Sequence, residues 1–356
     1  MANSIRWTTR PVIIAVAVLV VYTVIVAHVS YSYGVNSRSS LPVTALQAGN
    51  AREAGIALQA NTALKAVVEQ QPAYEKYKRA DLDEGVKINI IDVNTLPNND
   101  KETCVPLKDA VHHETICIDP KDKFIGASIQ QSGHWEGHIF NVMKKILDAD
   151  VDRHFIDIGA NIGVYTILVA SRGRHVIAVE AFWENVLRMS QSIRLGNLQN
   201  QVTVIHNAVS NVYENVTFWR PSDNPGGTHT FSEGEHPGDP VHQKVYKGIH
   251  DSVATIQIDN LLKVISFKKA VFKIDIEGFE IKAMIAMTRL LDAMDISHIF
   301  MEWSPVSMKQ QCMQIVDMLV ARGYKAHSVE LTLLQEYAWP AVQKWPHDII
   351  WFKTDK

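Results

Sequence analysis

His154-Phe155-Ile156-Asp157-Ile158-Gly159-Ala160-Asn161-Ile162-Gly163 decides how this chain is read. Its first half is an apolar run of strand length, and its second half is a turn built on two glycines and an asparagine. Val164–Ala170 then reads as a helix, which completes a strand–turn–helix unit. The pattern recurs downstream. His175–Val179, Val202–His206, Ala270–Ile274, His298–Met301, Ala326–Val329 and Ile349–Phe352 read as strands. Val186–Leu195, Ile281–Leu291 and Met308–Arg322 carry helical periodicity. Strands alternating with helices imply βαβ units and a mainly parallel sheet covered on both faces. The expected fold class is α/β, doubly wound, with a seven-stranded Rossmann-like sheet. The last two strands are expected to form an antiparallel edge pair.

Composition sets the wider frame. The 356 residues are 47% hydrophobic and 21% charged, values of a globular chain, and the net charge of -3 leaves no footprint for nucleic acid. Residues 11–29, from Pro11 to Val29, form an apolar run that meets the roughly 17–25 residues needed to cross a bilayer. Arg6 and Arg10 precede it and only Arg38 follows closely, so residues 1–10 are expected to be a cytosolic tail. A cleaved signal peptide is the rival reading, but Val26-Ala27-His28 is a poor cleavage site. The expectation is a single-pass type II membrane protein of the endoplasmic reticulum or Golgi. Residues 30–120 would be a lumenal stalk and lead-in, and 121–356 the catalytic domain. In that oxidising compartment Cys104 and Cys117 could pair, while Cys312 shares an apolar helical stripe with Met308, Ile315 and Leu319. Asn215-Val216-Thr217 is a glycosylation sequon there, with Asn215 as acceptor. No oligomeric state is read from the sequence.

Ligands of doubly wound sheets sit at the carboxyl ends of strands, where the strand order reverses. Gly159 and Gly163 allow a tight turn and a close approach to a ligand. The spacing is Gly-x-Asn-x-Gly, including Asn161, and not the Gly-x-Gly-x-x-Gly that cradles a pyrophosphate. S-adenosyl-L-methionine carries no phosphate, and Asp157 is a suitable neighbour for its cationic end. Glu180, after Val176–Val179, stands where a carboxylate accepts both ribose hydroxyls. Asn207 follows the next strand, where an adenine ring would lie. Asp275 and Glu277, in Phe272-Lys273-Ile274-Asp275-Ile276-Glu277-Gly278, are the candidate catalytic acids. The bland alternative is that one of them caps the next helix.

Taken together these residues resemble the FkbM-type methyltransferase family, from about Phe124 to Lys353. The resemblance includes Gly133-His134-Trp135-Glu136, Val179-Glu180-Ala181, Asn224-Pro225-Gly226-Gly227, Thr255–Leu262 and Asp348–Lys353. It implies S-adenosylmethionine as cofactor, a hydroxyl-bearing acceptor, possibly a glycan, and a place for Glu136 at the cofactor pocket. Ala181 departs from the proline the family often has there. His134 and His138 share the spacing of a helical zinc pair, but no third ligand is indicated, so no metal is assigned. Glu302 is a secondary acid–base candidate. The stretch from Pro221 to His250 holds His229, His236, His242 and His250 and is a candidate lid or acceptor site. Two other classes stay open: a nicotinamide-linked oxidoreductase, which the glycine spacing disfavours, and a membrane-tethered binding protein without activity.

Overall fold

A computed structural model describes residues 77–81, 87–98, 102–219, 229–232, 252–303 and 308–354. The expected membrane anchor, most of the expected stalk, and His236, His242 and His250 lie outside these residues. Among the described residues no helix is long and apolar enough to cross a membrane.

The strands are β1 (Tyr77–Asp81), β2 (Lys87–Ile91), β3 (Thr103–Pro106), β4 (Thr115–Ile118), β5 (His154–Ile158), β6 (Val176–Val179), β7 (Val202–Ile205), β8 (Ala208–Val209), β9 (Asn215–Trp219), β10 (His229–Ser232), β11 (Ser252–Ile256), β12 (Lys269–Ile274), β13 (Asp295–Glu302), β14 (Tyr324–Ser328) and β15 (Asp348–Lys353). The helices are α1 (Ile125–Ser132), α2 (Gly137–Ala149), α3 (Val164–Ala170), α4 (Trp183–Leu195), α5 (Glu280–Ile285), α6 (Thr288–Ala293), α7 (Lys309–Ala321) and α8 (Trp339–Val342).

The central sheet has the order β1-β2-β7-β6-β5-β12-β13-β15-β14. Strands β7, β6, β5, β12 and β13 run parallel, and β15 is inserted antiparallel between β13 and β14. The expected antiparallel pairing of the last two strands is therefore present, with β14 alone at the edge. The seven strands read from sequence are all there, and two more lie beyond β7. β2 pairs with β7 and buries Ile88 and Ile91. Charged residues mask this, because β1 is an edge strand and edge strands tolerate charge.

Each central strand is apolar along its whole length because both faces are covered. One face carries Phe155, Ala178, Val271 and Phe300 toward α1–α4. The other carries Ile156, Ile177, Phe272 and Ile299 toward α5–α7 and buries Cys312, as its helical stripe implied. Ile281–Leu291 was expected as one helix and is two. The carboxylate of Asp259 accepts from the amides of Arg289 (3.2 Å) and Leu290 (2.7 Å), and the amide of Asp259 donates to the carbonyl of Ala286. A distant aspartate thus starts α6 afresh, which local periodicity cannot reveal. Cys104 and Cys117 face each other across β3 and β4 and form a disulfide.

The turn after β5 is tighter than ligand approach alone demands. Gly159 has φ +79°, and a Cβ there would lie 1.8 Å from the carbonyl oxygen of Asp275. A Cβ at Gly163, φ +91°, would meet Met189 of α4 at 2.6 Å. Both glycines are required by protein packing as well as by the tightness of the turn. By contrast Gly173 has φ +74° and open space around it. Gly173→Ala should cost about 1–2 kcal/mol, the left-handed penalty alone. Gly159→Ala should cost about 3 kcal/mol or more, since backbone must move as well. Urea denaturation of both variants compares the two, and equal losses would refute the packing argument.

Candidate functional site

A cavity of about 440 Å³ opens at the carboxyl ends of β5, β6, β12 and β13. It lies at the switch point, where β5 is flanked by β6 on one side and β12 on the other. Its two ends differ in character. Ala181, Phe182, Ala208, Val209 and Phe218 make an apolar end, with Phe182 and Phe218 edge-on at 5.7 Å. Glu136, Asp157, Lys273, Asp275, Glu277, Glu302, His347 and Asp348 make a polar end.

Glu180 sits between them and is buried. Its carboxylate accepts from the amides of Asn161 (2.8 Å) and Phe182 (2.7 Å) and bonds Asn185. Burial still pushes its carboxyl up to about 7. Asn161, in the left-handed region at φ 53°, turns its amide toward Glu180, while its side chain accepts from the amide of Ile162. That local Asx contact is why asparagine suits the position. Asn207 borders the cavity, but its side-chain amide is spent on the fold. It accepts from the amide of Asn89 and donates to the carbonyls of Lys87 and Ala254. Gly163 does not line the cavity.

At the polar end, Asp157 is buried and accepts from the hydroxyl of Thr166 at 2.7 Å, with burial raising its carboxyl to about 6. Glu136, left-handed at φ 48°, starts α2 and accepts from the hydroxyl of Tyr165 at 2.8 Å. Burial raises its carboxyl, against the pull of Lys273. The ammonium of Lys273 donates to Asp275 at 2.8 Å and lies 4.8 Å over the Tyr165 ring. Burial alone would lower its affinity for a proton, but Asp275, Glu136 and Asp157 together push it above the usual lysine range. In return, Lys273 holds Asp275 below the usual carboxylate range despite burial. Glu277, at φ 53°, is raised to about 7 by burial and by Asp275 and Glu280. Glu302 is raised to about 9 by burial and by Glu280, Asp275 and Glu277.

The capping role weighed for Asp275 or Glu277 belongs to neither. Glu280 accepts from the amides of Ile276 (2.7 Å) and Gly278, tying down the loop that presents both. Carboxylate oxygens of Asp275, Glu280 and Glu302 lie within 4.8 Å of one another, a spacing a cation could use. All three already have protein partners, namely Lys273, the loop amides and His347. His134 binds Asp109 at 2.7 Å and is separated from α2 by left-handed Glu136, so His134 and His138 do not share a helix face. The Thr255–Leu262 motif is likewise structural: Thr255 and Asp259 bond backbone groups, and Asn260 caps its own turn. Of the stretch from Pro221 to His250, the described part is β10, which begins at His229 and pairs with β9.

Lys273, Tyr165 and His347 were not singled out from sequence. Lys273 carried a signal, because a lysine in a buried apolar strand is the informative exception. Tyr165 and His347 carried none.

The pocket suits a nucleoside with a cationic tail and no phosphate. Among the described lining residues there is no arginine, and the one lysine is held by Asp275. An apolar slot beside a buried carboxylate fits a base and its ribose, and the acidic end fits a sulfonium. Residues 157–326 match the family model of the methyltransferase FkbM domain. No curated protein matches the chain in sequence. Two solved structures share low likeness with it. Aeropyrum pernix fibrillarin with natively bound S-adenosyl-L-methionine has 8% identity and a TM-score of 0.33, over 77% of this chain and 92% of that one. The O-methyltransferase from Bacillus cereus in complex with SAH has 12% identity and a TM-score of 0.33, over 63% and 94%. On the sequence match, residues 157–326 form a methyltransferase FkbM domain, and the chain is a methyltransferase whose cofactor is S-adenosyl-L-methionine.

Proposed function

We propose that this methyltransferase acts on a hydroxyl group, with Asp275 and Glu277 handling the acceptor's proton. The observation that carries this is the pairing of an ionised Asp275 with a Glu277 raised to about 7 at the acidic end of the cavity. A hydroxyl is a poor nucleophile while protonated, so a base matched to neutral pH is what its methylation needs. When bound, the cofactor supplies an electrophilic methyl group. The protein's part is to hold the acceptor oxygen about 3–3.5 Å away and in line. Glu136, Tyr165 and Asp157 form one wall of that end, and Lys273 keeps Asp275 charged. Glu180 is the proposed ribose acceptor, because its carboxylate is fixed at the boundary between apolar and polar ends.

The proposed setting is the lumen of the secretory pathway, with the chain anchored by residues 11–29 and a glycan hydroxyl as acceptor. The Cys104–Cys117 disulfide supports an oxidising compartment. Asn215, exposed at the start of β9, supports a sequon that glycosylation could reach. Methyl transfer from radiolabelled cofactor to fractionated glycan and lipid extracts tests the acceptor class. Transfer to amines or to none of these fractions would sink the hydroxyl reading.

Two variants probe the residues. Glu180→Gln should weaken cofactor binding at least ten-fold, about 1.4 kcal/mol, in calorimetry. Unchanged affinity would remove the ribose assignment. Glu277 accepts a proton only when ionised, so turnover should rise between about pH 6 and 8 as it deprotonates. Glu277→Gln should lower turnover and flatten that limb. A variant profile identical to the parent's would assign the limb elsewhere.

A further inference from the structure

At the polar end of the cavity a chain of side chains leads from Asp275 to the surface. Glu302 hydrogen-bonds Asp275. Its Oε1 lies 2.6 Å from Nε2 of His347. His347 is 64% exposed, whereas the Glu302 side chain is 17% exposed. Register explains the arrangement. Glu302 ends β13 directly opposite Asp348 of β15, so the residue before Asp348 overhangs the carboxyl of Glu302. The backbone fastens the overhang, since the carbonyl of His347 accepts from the amide of Trp303 at 2.5 Å.

We propose that Glu302 and His347 are the proton outlet of the active site. This rests on the reading of Asp275 as the group that receives the acceptor's proton. Asp275, Glu302 and His347 all border the polar end of the cavity, and a bound cofactor and acceptor would exclude water around Asp275 while exposed His347 stays at the rim. The proton taken from the hydroxyl then needs another way out. As the oxygen–methyl bond forms, the methyl–sulfur bond breaks and its electron pair stays on sulfur, while the hydroxyl proton passes to Asp275. Asp275 returns to carboxylate by passing a proton to one oxygen of Glu302. Glu302 gives its own proton to Nε2 of the His347 imidazole, which releases one to water from Nδ1. Atoms and charge balance with one proton delivered to solvent.

Around this path Lys273 comes from β12 and Asp275 from just past its end, Glu277 and Glu280 from the loop and start of α5, Glu136 from the start of α2, and Asp348 from β15. Their electrostatics suit a relay. Glu302, pushed up to about 9, holds a proton at neutral pH while Lys273 keeps Asp275 ionised; for the relay that proton turns toward Nε2 of His347 and the other oxygen of Glu302 faces Asp275. The links are therefore loaded before a substrate arrives. Glu302 and His347 border the cavity but act on the reacting oxygen through Asp275, as positioning and relay residues.

The test uses the full chain with two kinds of readout. The first follows the carbon-13 carboxyl resonances of Asp275 and Glu302 against pH, without cofactor. Expected are two-step curves shared by both carbons, with the Glu302 step displaced in His347→Asn. The second is methyl transfer to the acceptor fraction found above. His347→Asn and Glu302→Gln should each lower kcat about ten-fold, with KM and cofactor affinity unchanged. Imidazole in the buffer should restore most of the loss in His347→Asn, a response a merely structural role would not show. An undiminished kcat in His347→Asn, a loss that imidazole fails to rescue, or independent titration of the two carboxyls overturns the outlet. Transfer that survives in Asp275→Asn overturns the base assignment instead, and the outlet with it. A silent His347→Asn beside a dead Asp275→Asn removes the outlet alone.

Discussion

The polar end of the cavity depends on one buried cation. Lys273 lies directly opposite Asp157 in the β5–β12 register, on the face of the sheet covered by α1–α4. It donates to Asp275, the first residue past the end of that strand, two positions further along the chain. Remove that ammonium and Asp157, Glu136 and Asp275 share a desolvated volume with no counter-charge. Breaking a buried pair by deleting one partner costs about 3–5 kcal/mol, because the survivor stays buried. The opposing shifts of Lys273 and Asp275 are two aspects of this one constraint. The carboxyls left outside the pair are raised instead, so the site holds acids in distinct protonation states a few ångströms apart.

Period-two alternation gathers the remaining acids. Phe300 and Glu302 on β13 share a face, and Glu302 pairs with Asp348 at the beginning of antiparallel β15. Because β15 runs against its neighbours, its first residues arrive at the end of the sheet where the parallel strands finish. An ordinary parallel strand would bring its carboxyl end there, and His347 would lie at the opposite rim. The reversal of β15 is thus what delivers His347 to Glu302. On the other side of the switch point, close passage of the Asp275 carbonyl beside Gly159 sets how far β12 can approach the turn. Packing there also fixes the distance between the two candidate acids and the cofactor end.

Much of the site was legible because its residues interrupt local patterns. Asp157, Glu180 and Asp275 each stand at or near the end of an apolar strand, where a carboxylate has no reason to be unless something binds there. Asn161 and the two glycines were legible as a turn, and protein packing requires the glycines as well. Asn207 shows the limit of that approach. A polar residue at a strand end looks the same in sequence whether it faces a ligand or ties β2 and β11 to the sheet, and here its amide does the latter. Glu280 shows the converse, since three acids in six residues give no sign of which one caps the loop.

The amino-acid sequence by itself determined the α/β alternation, the cofactor turn and the acids that follow β12, since these depend on local periodicity and residue chemistry. It also determined the Cys104–Cys117 pairing as an option, through their spacing. Only the tertiary structure decided which acids share a face with Lys273, that Glu280 serves the backbone, and that His347 reaches Glu302. Those outcomes depend on register between strands far apart in the chain. A one-residue shift in register would send each of those side chains to the opposite face, and nothing local records which register is chosen.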